Sequence, residues 1–328
     1  MSAASPVRSG AVGDGTGATD AIDVRGLVKR YGPAQALGGI DLTVGHGEVF
    51  ALLGPNGAGK TTTIEILTGA RRRSAGEVLV LGVDPGRDAR GWRAKIGIVP
   101  QSLGTFADLT VAEAVSHFAA FYPAPLPVAQ VLDLVGLRAQ RGVLCQRLSG
   151  GQLRRVDIAV GIAGDPELIF LDEPTTGLDP QARHAIWDMV RQFAARGKTI
   201  VLTTHYLDEV TALAGRAAVI AGGRVVTAGT LSELSGSTSG RATVSFTRPA
   251  ALADAPLPGL PDDAVVHGTG GGGAGTRVRI ETARPTEAAA PLIAWAAAAG
   301  VRELPDLRIE RPTLEDVYLG LIGEAGVT

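Results

Sequence analysis

The sequence predicts an α/β fold: a mostly parallel, two-sided sheet with a phosphate-binding loop, an antiparallel β portion, an inserted helical subdomain and a small α+β unit behind it. Three observations predict it. Strand-like and helix-like segments alternate from about residue 21 to residue 229, and most strands are apolar runs such as "ELIFLD" (167–172), the pattern of strands buried on both faces. The glycine-rich loop "GPNGAGKTT" (54–62) sits between one such strand and a helical pattern. Between Gln101 and Ser149 the alternation gives way to helix-like sequence.

Taken in order, "AIDVRGLVKRYG" (21–32) begins the ordered part, and strand-like segments continue to "GEVFALLG" (47–54). The helix "KTTTIEILTG" (60–69) precedes short strands at "GEVLVLG" (76–82) and "KIGIVPQ" (95–101). Residues 110–137 read as helical, broken by "YPAPLP" (122–127). A further helix follows "LSGGQLRR" (148–155). Then come the strand 167–172, a helix over 181–196, the strand "TIVLTTH" (199–205) and a helix over 206–214. "AAVIAGGRVVTAG" (217–229) reads as a strand pair turned at Gly222 and Gly223. This places the large domain at 22–234 with its helical insert at about 102–150, a linker "SGSTSG" at 235–240 and the small domain at 241–328. The small domain is expected from "RATVSF" (241–246), "TRVRIET" (276–282) and an alanine-rich helix. "GTGGGGAG" (268–275) reads as a flexible loop without a phosphate role, because no helix starts behind it. Thr313 and Asp316, after Pro312, have the spacing of a capping box.

Composition bounds the partners. Lys plus Arg (31) nearly balance Asp plus Glu (33), so nothing points to nucleic acid. The single cysteine, Cys145, excludes an internal disulfide, suits a reducing compartment and is expected to be a small buried side chain. No stretch reaches the roughly 20 apolar residues of a membrane span; "AAAPLIAWAAAAG" (288–300) is short and carries Pro291, which favours a soluble helix. Residues 1–21 lack the apolar core of a signal peptide and read as a disordered tail. The expected location is the cytosol, unless a partner carries the chain to a membrane.

The chemistry is concentrated in three places. In Gly54-Pro55-Asn56-Gly57-Ala58-Gly59-Lys60-Thr61 the spacing fits the phosphate loop in full. Its glycines let backbone N–H groups curl around a β-phosphate. Lys60 brings charge to the β- and γ-phosphates, Thr61 a hydroxyl for Mg²⁺, and the helix starting at Lys60 its positive end. Asp172, closing an apolar strand, suits Mg²⁺ through a water molecule, and Glu173 is placed to polarise the attacking water. Ser149 can cap the helix that follows, while Gly150 and Gly151 leave its N-terminus bare for an anion. Of the histidines only His205, at a strand end, has a functional context; His46, His117, His184 and His267 have none.

In this order the residues resemble the ATP-binding subunits of ABC transporters. Tyr31 in "KRYG" matches the adenine-stacking aromatic and Gln101 in "VPQS" the glutamine loop, which also touches Mg²⁺. "LSGGQ" (148–152) matches the signature, Asp172-Glu173 the Walker B pair, "TGLD" (176–179) the D-loop, and His205 the switch histidine. The resemblance covers about residues 22 to 232 and implies a P-loop NTPase core of ABC type. It implies Glu173, His205 and Gln101 as catalytic residues and Thr61, Gln101 and Asp172 around Mg²⁺. ATP would be bound by Tyr31, Gly54, Asn56, Gly57, Gly59, Lys60, Thr61 and Thr62 and, across a dimer, by Ser149, Gly150, Gly151, Gln152 and Asp179.

Two copies are thus expected head to tail around two ATP molecules, with a separate polytopic permease as the membrane partner. The stroke would pass to that permease near Gln101 and about Ser102 to Glu113. A single motif set and the ending "RPTLEDVYLGLIG" (311–323) resemble the daunorubicin/doxorubicin-type drug exporters, whose ATPase works at the cytoplasmic membrane face. The alternative is a soluble ABC ATPase of translation or DNA-repair type. Against it stand the single motif set and the absence of sustained heptads between Lys60 and Leu148.

Overall fold

The computed structural model describes residues 20–87, 90–101, 106–236, 241–267 and 275–310, with Glu315 and Tyr318. Strands β1 (Ile22–Tyr31) and β2 (Ala34–Val44) form an antiparallel pair ahead of β3 (Val49–Leu53), and helix α1 (Lys60–Leu67) follows the glycine loop. β4 (Ala75–Val80) returns antiparallel to β1, closing a three-stranded sheet β2-β1-β4. The short helix α2 (Arg90–Arg93) leads into β5 (Ile96–Val99).

The helical insert contains α3 (Val111–Ala119), α4 (Val128–Leu134) and the start of α5 (Gly150–Ile162). α3 starts at a capping box between Thr110 and Glu113, and Pro127 precedes α4. Chain order then gives β6 (Leu168–Asp172), α6 (Pro180–Ala195), β7 (Thr199–Thr204), α7 (Leu207–Leu213), β8 (Arg216–Ala221) and β9 (Arg224–Thr230). These build a six-stranded sheet in the order β5-β6-β7-β3-β8-β9, parallel as far as β8. Only β9 runs antiparallel, through the Gly222-Gly223 turn at φ 55° and 73°.

The apolar runs are explained by burial on both faces. Ala51, Leu53, Ile169, Leu171 and Leu202 face a core shared with α3 to α7. Their neighbours Phe50, Leu52, Phe170 and Val201 face a second core under the three-stranded sheet and α1. Cys145 is buried in the first core.

α8 (Leu231–Gly236) takes up the first two residues read as linker, and residues 237–240 lie outside the described ones. Beyond them β10 (Ala242–Thr247), β11 (Val265–His267), β12 (Arg277–Thr282), α9 (Pro285–Ala298) and β13 (Arg308–Glu310) form an antiparallel sheet, β11-β12-β10-β13, under one helix. Val244, Phe246, Ile280 and Leu292 form its own core. Pro285 starts α9, so Pro291 lies inside the helix. Most of the glycine run, and the Thr313–Asp316 pair, lie outside the described residues. Tyr318, 9% exposed, belongs to the large core with Leu234, not to the core of the small sheet.

Candidate nucleotide site

The site is assembled where the ends of three parallel strands meet the glycine loop. Gly54 follows β3 and Gly59 caps α1 at φ 107°. A Cβ on Gly59 would stand 2.5 Å from Leu37 Cδ2, so the left-handed turn and the packing both require glycine. Lys60, 4% exposed, donates from Nζ to the Gly54 and Pro55 carbonyls at 2.8 and 3.1 Å. Thr61, in the first turn of α1, donates to Asp172 Oδ1 at 3.3 Å, and the Thr203 hydroxyl of β7 donates to the same oxygen.

Glu173 leaves β6 at φ 45°, a left-handed turn for a residue with a side chain, which costs about 1–2 kcal/mol. Its N–H donates to Thr203 O and Oγ1 at 3.1 and 2.9 Å, which holds the turn. The carboxylate is the meeting point of the site. Oε1 lies 3.2 Å from Lys60 Nζ and 3.5 Å from His205 Nδ1. Oε2 accepts from Gln101 Nε2 at 3.3 Å and Thr176 Oγ1 at 3.1 Å. Burial pushes this carboxyl up, but Lys60, Thr176 and His205 outweigh it and hold the group below the usual carboxylate range.

The donor set fits Mg²⁺, which keeps several waters and takes substrate oxygens rather than a protein cage. Thr61 and Asp172 offer adjacent hard oxygens. No group of three or more His, Cys, Asp or Glu suited to a metal occurs among the described residues.

Lys60, Thr61, Gln101, Asp172, Glu173 and His205 therefore converge. The other sequence-derived residues have other neighbours. Tyr31, 42% exposed, has Lys29 Nζ 4.9 Å and the Arg71 guanidinium 5.2 Å from its ring centre. Asn56 and Gly57 are exposed in the loop and Thr62 is half-buried. Asp179 caps α6 by accepting from Ala182 N at 2.8 Å. Ser149 and Gln152 form a reciprocal capping box at 3.3 and 3.0 Å, so among the described residues their polar side-chain contacts stay inside their own turn. Gly150 is open to solvent, whereas a Cβ on Gly151 would come 2.7 Å from Ala182 Cβ. The reading of both glycines as clearance for an anion needs refining: Gly151 is also required for α5 to pack on α6.

Sequence reasoning missed Thr203, Thr176 and above all Arg154, whose buried guanidinium reaches the backbone on both sides of the site. The available signal was Asp157, three residues on and 3.5 Å away on the same helical face. Burial pushes the Asp157 carboxyl up to about 6 against the pull of Arg154.

Fold and site together define a P-loop ATP-binding cassette. Residues 37–176 match the family model for ABC transporters, and 242–313 match the ABC transporter domain-containing protein-like C-terminal domain. A daunorubicin resistance ATP-binding protein, DrrA3 of Streptomyces coeruleorubidus, is 37% identical over 94% of this chain and 97% of its own length. The Nod factor export ATP-binding protein I of Paraburkholderia xenovorans is 36% identical over 92% and 97%. Among solved structures, an ATP-binding subunit of an ABC transporter aligns with TM-score 0.59 at 28% identity, covering 65% of this chain and 91% of that one. The dimeric bacterial cassette MJ0796 aligns with TM-score 0.58 at 26% identity, over 64% and 98%. The chain belongs to the ATP-binding subunits of ABC transporters.

Proposed function

We propose that this chain hydrolyses ATP to drive export of a lipophilic compound through a separate membrane permease. The observation that carries the reading is the Glu173 carboxylate, held at once by Lys60, Gln101, Thr176 and His205 beside the Mg²⁺-type oxygens of Thr61 and Asp172. Bound ATP places its γ-phosphate against Lys60, which draws the ammonium from Glu173 and frees the carboxylate to orient water. Water then attacks the γ-phosphorus as its proton passes to the Glu173 carboxylate; the bond from that phosphorus to the bridging oxygen breaks, and ADP and inorganic phosphate leave. Mg²⁺, held by Thr61 and Asp172, would supply neutralisation of the phosphate charge.

Two copies sandwich two nucleotides. The bare turn at Ser149 and Gly150, whose polar side-chain contacts are internal, presents a helix N-terminus to the partner's phosphate. Closure on ATP and reopening after hydrolysis make the stroke.

The permease docks on a cleft of about 470 Å³ between the sheet and the helical insert, lined by Arg93, Ile98, Phe118 and Tyr122. Phe121, 71% exposed, lies beside Phe118. Ile98 faces this cleft only three residues before Gln101, which supports a short route from permease to carboxylate. Segment 102–105 lies outside the described residues. No described helix is long and apolar enough to cross a membrane, in keeping with peripheral attachment at its cytoplasmic face. The names of the drug-resistance and Nod-factor-export relatives support export as the direction.

The test is purification from membranes followed by drug-accumulation measurements with and without the co-purifying polytopic protein. Co-purification and lowered accumulation support the proposal. An exclusively soluble pool and unchanged accumulation refute it.

A further inference from the structure

Arg154 occupies the second turn of α5, behind the Ser149 turn, and is 7% exposed. Its guanidinium carries five N–H donors in a fixed plane, and the structure directs them at two separate chain segments. Nη1 donates to Pro100 O at 2.7 Å and Gln101 O at 3.3 Å. Nη2 donates to Asp172 O at 3.0 Å and Glu173 O at 3.5 Å, and Nε to Pro174 O at 2.9 Å. Asp157 Oδ2, 3.5 Å from Nη1, is the only carboxylate in reach of the guanidinium among the described residues.

The two segments are the ones whose side chains meet in the site. Gln101 sends its amide to Glu173, and Glu173 turns at φ 45° to receive it. Thr203 fixes the N–H side of that turn. Arg154 fixes the carbonyl side of the same turn and, with the same plane of donors, the backbone of Gln101.

We infer that Arg154 is a positioning residue: it sets the Glu173 carboxylate and the Gln101 amide in register with each other and with the helix that carries the signature turn. The inference rests on the hydrolytic role proposed for Glu173. Its consequence concerns communication between sites. α5 begins at the turn proposed above to face the partner's nucleotide, and its first one and a half turns cannot shift without moving the guanidinium. Whether the partner's ATP is engaged is therefore felt at this chain's own carboxylate through five carbonyl contacts.

A lysine keeps the charge but concentrates its donors on one nitrogen, so it can serve one segment and not both. Arg154→Lys is expected to lower kcat about 10- to 100-fold, the usual penalty for a misplacement near 1 Å, with the KM for ATP changed less than about twofold. Lys60 and the glycine loop make no contact with Arg154 among those described, so binding of a fluorescent ATP analogue to the monomer stays at the wild-type level. The deciding measurement is the double variant. In a Glu173→Gln background, Arg154→Lys should lower the residual rate by a markedly smaller factor, because only the part of its effect that passes through Gln101 remains. A merely structural role would lower both backgrounds alike and reduce analogue binding, and that result overturns the inference. So does a wild-type kcat for Arg154→Lys while Glu173→Gln is inactive. If Glu173→Gln turns over at the wild-type rate, the hydrolytic reading falls and the inference with it. Should Arg154→Lys not fold, Arg154→Gln, which can likewise reach one segment only, takes its place under the same criteria.

Discussion

Replacing Glu173 by glutamine tests the centre of the site with the least change of shape. Glutamine keeps an acceptor for Gln101 and Thr176 but cannot take a proton from water. Loss of a positioned general base costs about 10²- to 10⁴-fold in rate, so about 2.7–5.4 kcal/mol at 1.36 kcal/mol per decade. A second effect has the opposite sign for binding. In the free protein the Glu173 carboxylate lies 3.2 Å from Lys60, with side chains only 8% and 4% exposed, and ATP must draw the ammonium away. At an effective dielectric near 20 the direct attraction at that distance is about 5 kcal/mol. The remaining hydrogen bond to the glutamine oxygen and the partial desolvation of both groups return most of it, leaving about 1–2 kcal/mol. ATP should therefore bind roughly 5- to 30-fold tighter to Glu173→Gln, and ATP-dependent dimers should persist on a sizing column. Single-turnover phosphate release measures the first effect and equilibrium titration the second. Wild-type turnover would refute the role of Glu173. Weakened ATP binding would refute the competition for Lys60.

Ser149→Arg should abolish hydrolysis and leave analogue binding to the monomer within about twofold, checked by titration at dilution; loss of monomer binding would assign the turn to its own chain's nucleotide. Gly151→Ala places a methyl 2.7 Å from Ala182 Cβ, so thermal denaturation should show a loss of about 1–3 kcal/mol. Burial in the fold pushes the Asp157 carboxyl up to about 6, above the ordinary aspartate range. As pH rises through that window the unfolded chain releases the proton first, so this group costs the native state stability that is lost fully only above pH 6. Wild-type Tm should accordingly fall as pH rises from about 4 to about 6, and Asp157→Asn should flatten that part of the profile.

What the sequence made legible in this chain follows distance along it. The glycine loop, the signature cap and the Asp172-Glu173 strand end were legible because each is a local device. Backbone conformation, capping spacing and one apolar run specify them within a few residues. The double-sided sheet was legible for the same reason: Phe50 and Ala51, or Phe170 and Leu171, have no polar alternation to mark a wet face. α8 escaped because "SGSTSG" looks like a breaker, while Leu234 is anchored in the large core, a contact no local pattern announces.

What the sequence by itself determined, then, is the set of candidate groups for phosphate, metal and water, since these depend on residue type at short spacing. Only the tertiary structure decided how those groups restrain one another. Thr203 reaches Asp172 and Glu173 from a separate strand, Gly151 answers to Ala182 on the next helix, and Arg154 joins two loops. Tyr318 returns to the large core from beyond the small sheet. Each of these contacts spans tens of residues or more, apart from the shorter link between Arg154 and the Glu173 turn. The geometry that satisfies a buried donor at such distances is set by packing, which no window of sequence contains.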